Sequence, residues 1–330
     1  MDSNPTAAYE EMDAELAEAT DWSDLDAFRA KRAQLEEERL KTQGPPEPGI
    51  REEIRTITMR DGFENKIKVH RPATAGGPLI VLVFGGGFVV GNEGQLTPLA
   101  RALARTSGAT AITIGYRLAP ESKFPTAAHD VEDSLLWIAK NSKELEADPS
   151  KSFVLGGISA GGNLVACVAQ KTLHDKSLAH PLTGLWLCVP WIFPLENDLV
   201  PAKYKDIYLS RDRMVAVPGL DRDSLTAIED YLSPDACSPL YSPFNSKNPH
   251  VGMPQTYVQV CGLDPLRDDG VVYEKVLQEN GVTTKIDVWP GVPHAHFAFF
   301  PFLATSKKAM VDVELAFGWL LGADLTAQRI

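Results

Sequence analysis

The residues best placed to do chemistry are Gly157-Ile158-Ser159-Ala160-Gly161, a G-x-S-x-G run. Phe153-Val154-Leu155-Gly156 before it reads as a buried strand, and Gly162-Asn163-Leu164-Val165-Ala166-Cys167-Val168-Ala169 after it as a helix. Strand, glycine-flanked serine and helix together describe a sharp turn that lifts a serine Oγ above the end of a sheet. The helix directs its positive end at that oxygen, where negative charge develops in acyl transfer. A neutral serine hydroxyl is a poor nucleophile, so the reading demands a base, an acid to orient it and donors for an oxyanion.

Base and acid follow downstream in the order Ser, Asp, His. Gln255 to Gly262 reads as a strand and passes into Leu263-Asp264-Pro265-Leu266-Arg267-Asp268, which places Asp264 on the turn beyond it. A helix from about Gly270 to Asn280 and a strand from Thr284 to Trp289 then lead to Pro290-Gly291-Val292-Pro293-His294. Ser159, Asp264 and His294 therefore share the carboxyl edge of a parallel sheet, where such sheets bind ligands. His296 competes for the role of base, but the Pro-His-x-x-x-x-Phe-Phe-Pro pattern favours His294. Upstream, the all-apolar strand Leu79 to Phe84 runs into Gly85-Gly86-Gly87-Phe88. A phosphate loop fails there, because Asn92 stands where its lysine is needed and Val90 where a third dinucleotide-loop glycine belongs. A loop of bare backbone donors facing Ser159 fits better than a plain flexible turn.

Phe84-Gly85-Gly86-Gly87-Phe88, Gly115-Tyr116-Arg117-Leu118-Ala119-Pro120-Glu121, Phe124-Pro125-Thr126-Ala127-Ala128, the serine motif through Asn163, Gly262 to Asp268 and Pro293-His294 stand in one order between about Leu79 and Phe302. In that set the chain resembles the hormone-sensitive-lipase-like branch of the α/β hydrolases, in its fungal type. The resemblance implies an α/β fold: a mostly parallel central sheet flanked by helices, with a helical cap. It implies Ser159 as nucleophile, His294 as general base, Asp264 as its orienting acid, and the Gly86, Gly87 and Ala160 N–H groups as oxyanion hole. No cofactor or metal is implied, and no His, Cys, Asp or Glu spacing points to a metal site. The implied reaction is cleavage of carboxylic esters, with a small-molecule ester as partner; the resemblance also allows a homodimer.

Two positions depart from the family pattern. Phe84 stands where histidine is usual and Ile158 where an acid is usual. Both exchanges predict a drier site, and so an alternative chemistry: acyl transfer, lactonisation or cyclisation, of the kind secondary metabolism uses, in place of hydrolysis. A non-catalytic receptor on the same scaffold, as in plant gibberellin receptors, predicts a missing triad member, whereas all three are present.

The remaining polar residues read as scaffold. His70, His174, His180 and His250 are expected at the surface or in turns, and His129 is expected to be structural. Asp268 and Asp269 are expected in the first turn of a helix, complementing its dipole. Tyr116-Arg117 reads as a buried scaffold pair.

A formal net charge of −12 disfavours nucleic acid and anionic membrane surfaces as partners. No apolar run is long enough to span a bilayer. The first residues carry nine acids and no base before Arg29, unlike a secretory or mitochondrial presequence, so a cytoplasmic location is expected. Cys167, Cys188, Cys237 and Cys261 show no paired spacing, and three of them fall in apolar patterns, which predicts buried free thiols.

At 330 residues the chain can hold one large core and a cap. Residues 1–49 read as a helical cap segment, with Ser23 as N-cap and Leu25, Phe28, Arg32, Leu35 and Arg39 on one face, closed by Gly44-Pro45-Pro46-Glu47-Pro48-Gly49. Residues 50–330 form the catalytic domain, with two strands pairing around Asp61-Gly62 and further cap material inserted at about 193–249, where Arg222 to Leu232 is helical. Trp22, Phe28, Phe88, Trp191, Phe193, Tyr204 and Tyr208 are candidate pocket linings, and Phe84, Phe88, Ile158 and Trp191 the candidate substrate-binding residues. An apolar pocket predicts neutral or acyl esters over charged ones.

Overall fold

The computed structural model describes residues 24–196, 198–214, 217–301 and 303–323. Trp22 and Ser23 lie outside the described residues. Helix α1 (Leu25–Gln43) is capped by Asp24, whose carboxylate accepts from the Ala27 N–H. Strands β1 (Arg51–Thr58) and β2 (Glu64–Arg71) then form the expected antiparallel hairpin.

Strand and helix alternate from there. The order is β3 (Leu79–Val83), α2 (Thr97–Ser107), β4 (Thr110–Ile114), α3 (Thr126–Lys140), β5 (Phe153–Ile158), α4 (Ala160–Asp175) and β6 (Gly184–Cys188). After a long connection holding the short helix α5 (Ser210–Arg213) and α6 (Arg222–Leu232) come β7 (Gln255–Leu263), α7 (Arg267–Glu279), β8 (Thr284–Pro293), the short α8 (His296–Phe299) and α9 (Ala304–Leu320). The eight strands form one sheet in the order β1-β2-β4-β3-β5-β6-β7-β8. Only β1–β2 and β2–β4 pair antiparallel; β4 to β8 are parallel.

Strands β3, β4, β5 and β6 are buried at every residue, as central parallel strands covered by helices on both faces must be. Helices α2 and α9 pack together on one face, and α3 and α4 on the other. Strand β8 runs four residues past the expected end at Trp289, because a register shift between Cys261 and Leu263 lets Leu263 pair with Pro293. That extension carries the chain to the residue before His294.

Of the histidines expected at the surface or in turns, His70 is neither, and His250 lies in a turn but is buried. The His70 ring is enclosed on β2, with Nδ1 against the Ala111 carbonyl and Nε2 3.4 Å from Glu52. Helix α2 packs over that face of β2 and brings Arg101 to Glu52. His250 packs against the rings of Phe244 and Tyr273. Burial holds both imidazoles down to about 4. His174 is exposed, as expected.

Candidate active site

Ser159 occupies the turn between β5 and α4 with φ 57° and ψ −119°, a conformation a serine adopts only under strain. Its neighbours make the turn feasible. A Cβ at Gly157 would come 2.3 Å from the Gly161 carbonyl oxygen, and one at Gly161 would lie 2.3 Å from that of Val83. Both glycines are therefore required by close backbone approach.

His294 Nε2 lies 2.8 Å from Ser159 Oγ, and its Nδ1 lies 2.8 Å from Asp264 Oδ2. With Nδ1–H donating to the carboxylate, Nε2 is left to accept from the serine hydroxyl. The other Asp264 oxygen accepts from the Leu266 N–H at 2.8 Å, so the carboxylate cannot swing away from the imidazole. Asp264 is fully buried, and Ser159 and His294 are 7% and 5% exposed. The Cys188 and Cys261 thiols beside Asp264 are pushed well up by burial first and by that carboxylate second, so they stay neutral.

His296 is elsewhere. Its Nδ1 meets Ser306 Oγ at 2.9 Å, its ring lies edge-on to Trp289, and burial holds it down to about 4.

The glycine loop turns back on itself, with the Val89 and Val90 N–H groups both donating to the Gly86 carbonyl. Gly86 and Gly87 take φ 137° and 59°, and a Cβ at Gly86 would lie 2.1 Å from the Val90 oxygen. Among the described residues no backbone carbonyl accepts from the Gly86 or Gly87 N–H. Ala160 opens α4, where first-turn N–H groups have no partner within the helix.

A cavity of about 800 Å³ opens over these groups, walled by Ser159, His294, Gly86, Gly87, Ile158 and Trp191 among others. Asp264 and Ala160 sit behind the wall. Two of the candidate substrate-binding residues also fall outside it. The Phe84 ring is stacked on Tyr116, centroids 4.0 Å apart, and Gly91 is bare where a Cβ would strike it. The Phe88 ring packs beside Trp191 in a separate small void with Phe124 and Tyr241. Of the two departures from the family pattern, only Ile158 therefore faces the cavity. Of the other aromatic candidates, Phe28 lines it, whereas Phe193, Tyr204 and Tyr208 do not; Phe193 and Tyr208 pack edge-to-face on each other.

Helix α1 supplies one side of the cavity, and Gly219, Leu220 and Ile228 of the β6–β7 connection another. Charged groups fasten both. Arg29 forks onto Glu121 at 2.6 and 2.9 Å and donates to the Val89 carbonyl at 2.8 Å. Asp269, fully buried, accepts from the Ile192 and Phe193 N–H groups, from Tyr208 Oη and from Arg211 at 2.7–3.0 Å. Asp268 accepts from the Leu209 and Ser210 N–H groups at 2.7 Å. These two acids do occupy the first turn of α7, but their work is to hold the connection down, which their sequence position alone did not reveal. The Trp191 indole then donates to the Phe193 carbonyl at 2.9 Å, and Asn163 Nδ2 to the Trp191 carbonyl at 2.7 Å.

A parallel sheet with a strained serine at the end of a central strand, a histidine and an acid at the ends of two others, and a glycine loop facing them define a class of protein. The chain belongs to the α/β hydrolase fold family, whose model matches residues 80–298. An AB hydrolase superfamily protein of Schizosaccharomyces pombe is 35% identical to it over 80% of this chain and 78% of that protein. A versiconal hemiacetal acetate esterase of Dothistroma septosporum is 32% identical over 88% of this chain and 87% of its own. Among solved structures, a vibralactone cyclase superposes with a TM-score of 0.82 at 30% identity, covering 90% of this chain and 89% of that one. The chain is a carboxylesterase-like hydrolase of the hormone-sensitive-lipase-like kind. Among the described residues, no helix is long and apolar enough to cross a membrane.

Proposed function

We propose that the protein cleaves carboxylic esters by two-step acyl transfer through Ser159, His294 and Asp264. The observation that carries this reading is the unbroken chain of contacts from Ser159 Oγ through His294 to Asp264, each link 2.8 Å. His294 Nε2 takes the hydroxyl proton as Oγ attacks the carbonyl carbon. The oxyanion that forms rests on the N–H groups of Gly86, Gly87 and Ala160, which the loop and the helix start leave uncommitted. The tetrahedral species collapses as His294 returns the proton to the departing alcohol. Water, deprotonated by the same nitrogen, then releases the acid from Ser159. Asp264 fixes the Nδ1–H tautomer and offsets the imidazolium charge. Helix α1 and the β6–β7 connection act as the cap.

A second reading is favoured by the vibralactone cyclase likeness and by Ile158 on the cavity wall. Once Ser159 is acylated, a hydroxyl other than water, within the substrate or on a second molecule, attacks and gives a lactone or a new ester. Turnover of p-nitrophenyl esters from C2 to C12, wild type beside Ser159→Ala, tests the first reading. We expect release that depends on Ser159, falling by roughly 10³-fold or more in the variant; release unchanged by the substitution would sink it. The second reading is checked in the same assay by adding an alcohol acceptor. Ile158→Asp should then raise free acid relative to transferred ester, and an unaltered partition would count against the cyclase alternative.

A further inference from the structure

The three triad residues do not stand on equal supports. Ser159 follows β5, which is flanked by β3 and β6, and Asp264 lies beyond β7, flanked by β6 and β8. His294 follows β8, the last strand of the sheet, whose ladder ends one residue short of the base, with Leu263 opposite Pro293. Ala295 then takes φ 48° and ψ 37°, a left-handed conformation that an alanine keeps only where its surroundings impose it. Bonds from the Ala298 N–H to the Ala295 carbonyl and from the Phe300 N–H to the His296 carbonyl tie this segment to itself.

Helix α9 ties it to the rest of the molecule. Before the base, the Trp289 indole donates to Asp312 Oδ2 at 3.2 Å. After it, His296 Nδ1 and Ser306 Oγ meet at 2.9 Å. Both partners belong to α9 and stand roughly 9 Å apart along its axis, so the two bonds grip the turn on either side of His294. Ala295, Phe297, Ala298 and Pro301 line the cavity. His296 turns away from it and is fully buried, its ring edge-on to Trp289 with centroids 5.3 Å apart. Packing alone does not call for an imidazole there. Among the described residues its Nε2 has no partner, and a buried polar atom without one costs stability that a phenyl ring would not.

We infer that His296 is a positioning residue: through its bond to Ser306 it steadies the turn that sets His294 Nε2 against Ser159 Oγ. This rests on the proposed esterase reading, in which His294 is the base. Main-chain pairing brings the base to the site, and the bond to α9 sets its final orientation.

His296→Phe keeps a ring beside Trp289 and removes the bond. His296→Asn gives up the ring but places an amide where Nδ1 stands. Burial keeps this imidazole neutral, so neither exchange alters the charge around His294. With p-nitrophenyl butyrate, kcat should fall by roughly 10²-fold in His296→Phe while KM stays within a factor of about two. His296→Asn should recover about tenfold of that loss or more. Thermal midpoints should rank the other way, with His296→Phe at or above wild type and His296→Asn below it. A kcat that His296→Phe leaves unchanged, or kcat values that rank with the midpoints, overturns the inference.

Ser306→Ala cuts the same bond from α9, so a folding defect in one variant leaves the other as a test. It should reproduce the loss, and the double variant should be no slower than His296→Phe alone; additive losses reject a shared bond. Crystal structures of wild type, His296→Phe and His296→Asn separate this idea from the esterase reading, because they need no turnover. His294 Nε2 should stay within hydrogen-bond reach of Ser159 Oγ in wild type and His296→Asn and leave it in His296→Phe, even where no ester is cleaved. The same separation in all three rejects the positioning role, even where turnover is brisk.

Discussion

The floor of the site and its roof are held in different ways. The floor consists of Ser159, Asp264 and His294 at the ends of β5, β7 and β8, together with the glycine loop after β3. Main-chain geometry fixes it: parallel ladders, a strained serine and glycines that admit no side chain. The roof consists of α1 and the β6–β7 connection, and side chains fix it, through Arg29 on Glu121 and through Asp268 and Asp269 on the connection. A floor built of backbone changes all at once or not at all. A roof built of side chains can be retuned one contact at a time without disturbing the chemistry below, which suits a family that varies its substrates.

That contrast is tested most sharply by Asp264→Asn. The substitution keeps the shape of the floor but favours the wrong imidazole tautomer, so kcat should fall by about 10⁴ while the thermal midpoint moves little. A loss below tenfold would mean that Asp264 does not orient His294. Asp269→Asn, only five residues along the chain, should behave in the opposite way. It removes the charge that faces buried Arg211, which is expected to destabilise the protein by about 3–5 kcal/mol in denaturant titration. In the fraction that remains folded, labelling of Ser159 by a small fluorophosphonate should continue, while KM for long esters rises roughly tenfold as Trp191 loosens. If labelling collapses together with KM, floor and roof are not separable and the contrast fails.

What the sequence revealed divides along the same line. The serine turn, Asp264 and His294 were legible because each is announced by a strand and a glycine or proline close by in the chain. The preference for His294 over His296 came from that local pattern, and it is His294 that stands against Ser159. Helix Arg222–Leu232 was legible as well. Contacts across long stretches of chain were not. Asp269 meets Arg211, Tyr208 and Phe193, 58 to 76 residues away, and nothing near it in sequence separates such a clamp from an acid placed for the helix dipole. Phe84 was expected at the site as a departure from the family pattern, but its ring stacks on Tyr116, on another strand's exit. His70 was expected at the surface or in a turn and is buried, because nothing near it in sequence announces that α2 lies over its face of β2.

The smallest effect, and the one that tells floor from roof without touching the chemistry, is expected in acid. His70 and His296 lie in the core, and burial holds each down to about 4 in the folded protein against about 6.5 in the unfolded chain. Their folded values are depressed, so the stability they allow is complete above about pH 6.5 and drains away as pH falls toward 4. Glu121 on the roof is held down to about 2 by its hydrogen bonds from Arg29, against about 4.3 when unfolded. What it contributes is therefore intact above about pH 4.5 and disappears only as pH falls through 2. The Glu121 end of the pair is largely exposed, so its worth is at most about 1 kcal/mol and Arg29→Met should raise KM by less than roughly threefold. Hydrogen exchange at pH 7, 5 and 3 reads the two regions separately. Between pH 7 and 5 the core amides should lose protection while the difference between wild type and Arg29→Met in α1 stays constant. That difference should shrink only on going from pH 5 to 3. If α1 loosens first, with the core still protected at pH 5, the Glu121 contact is not what holds the roof, and the division between a backbone-fixed floor and a side-chain-fixed roof would have to be drawn elsewhere.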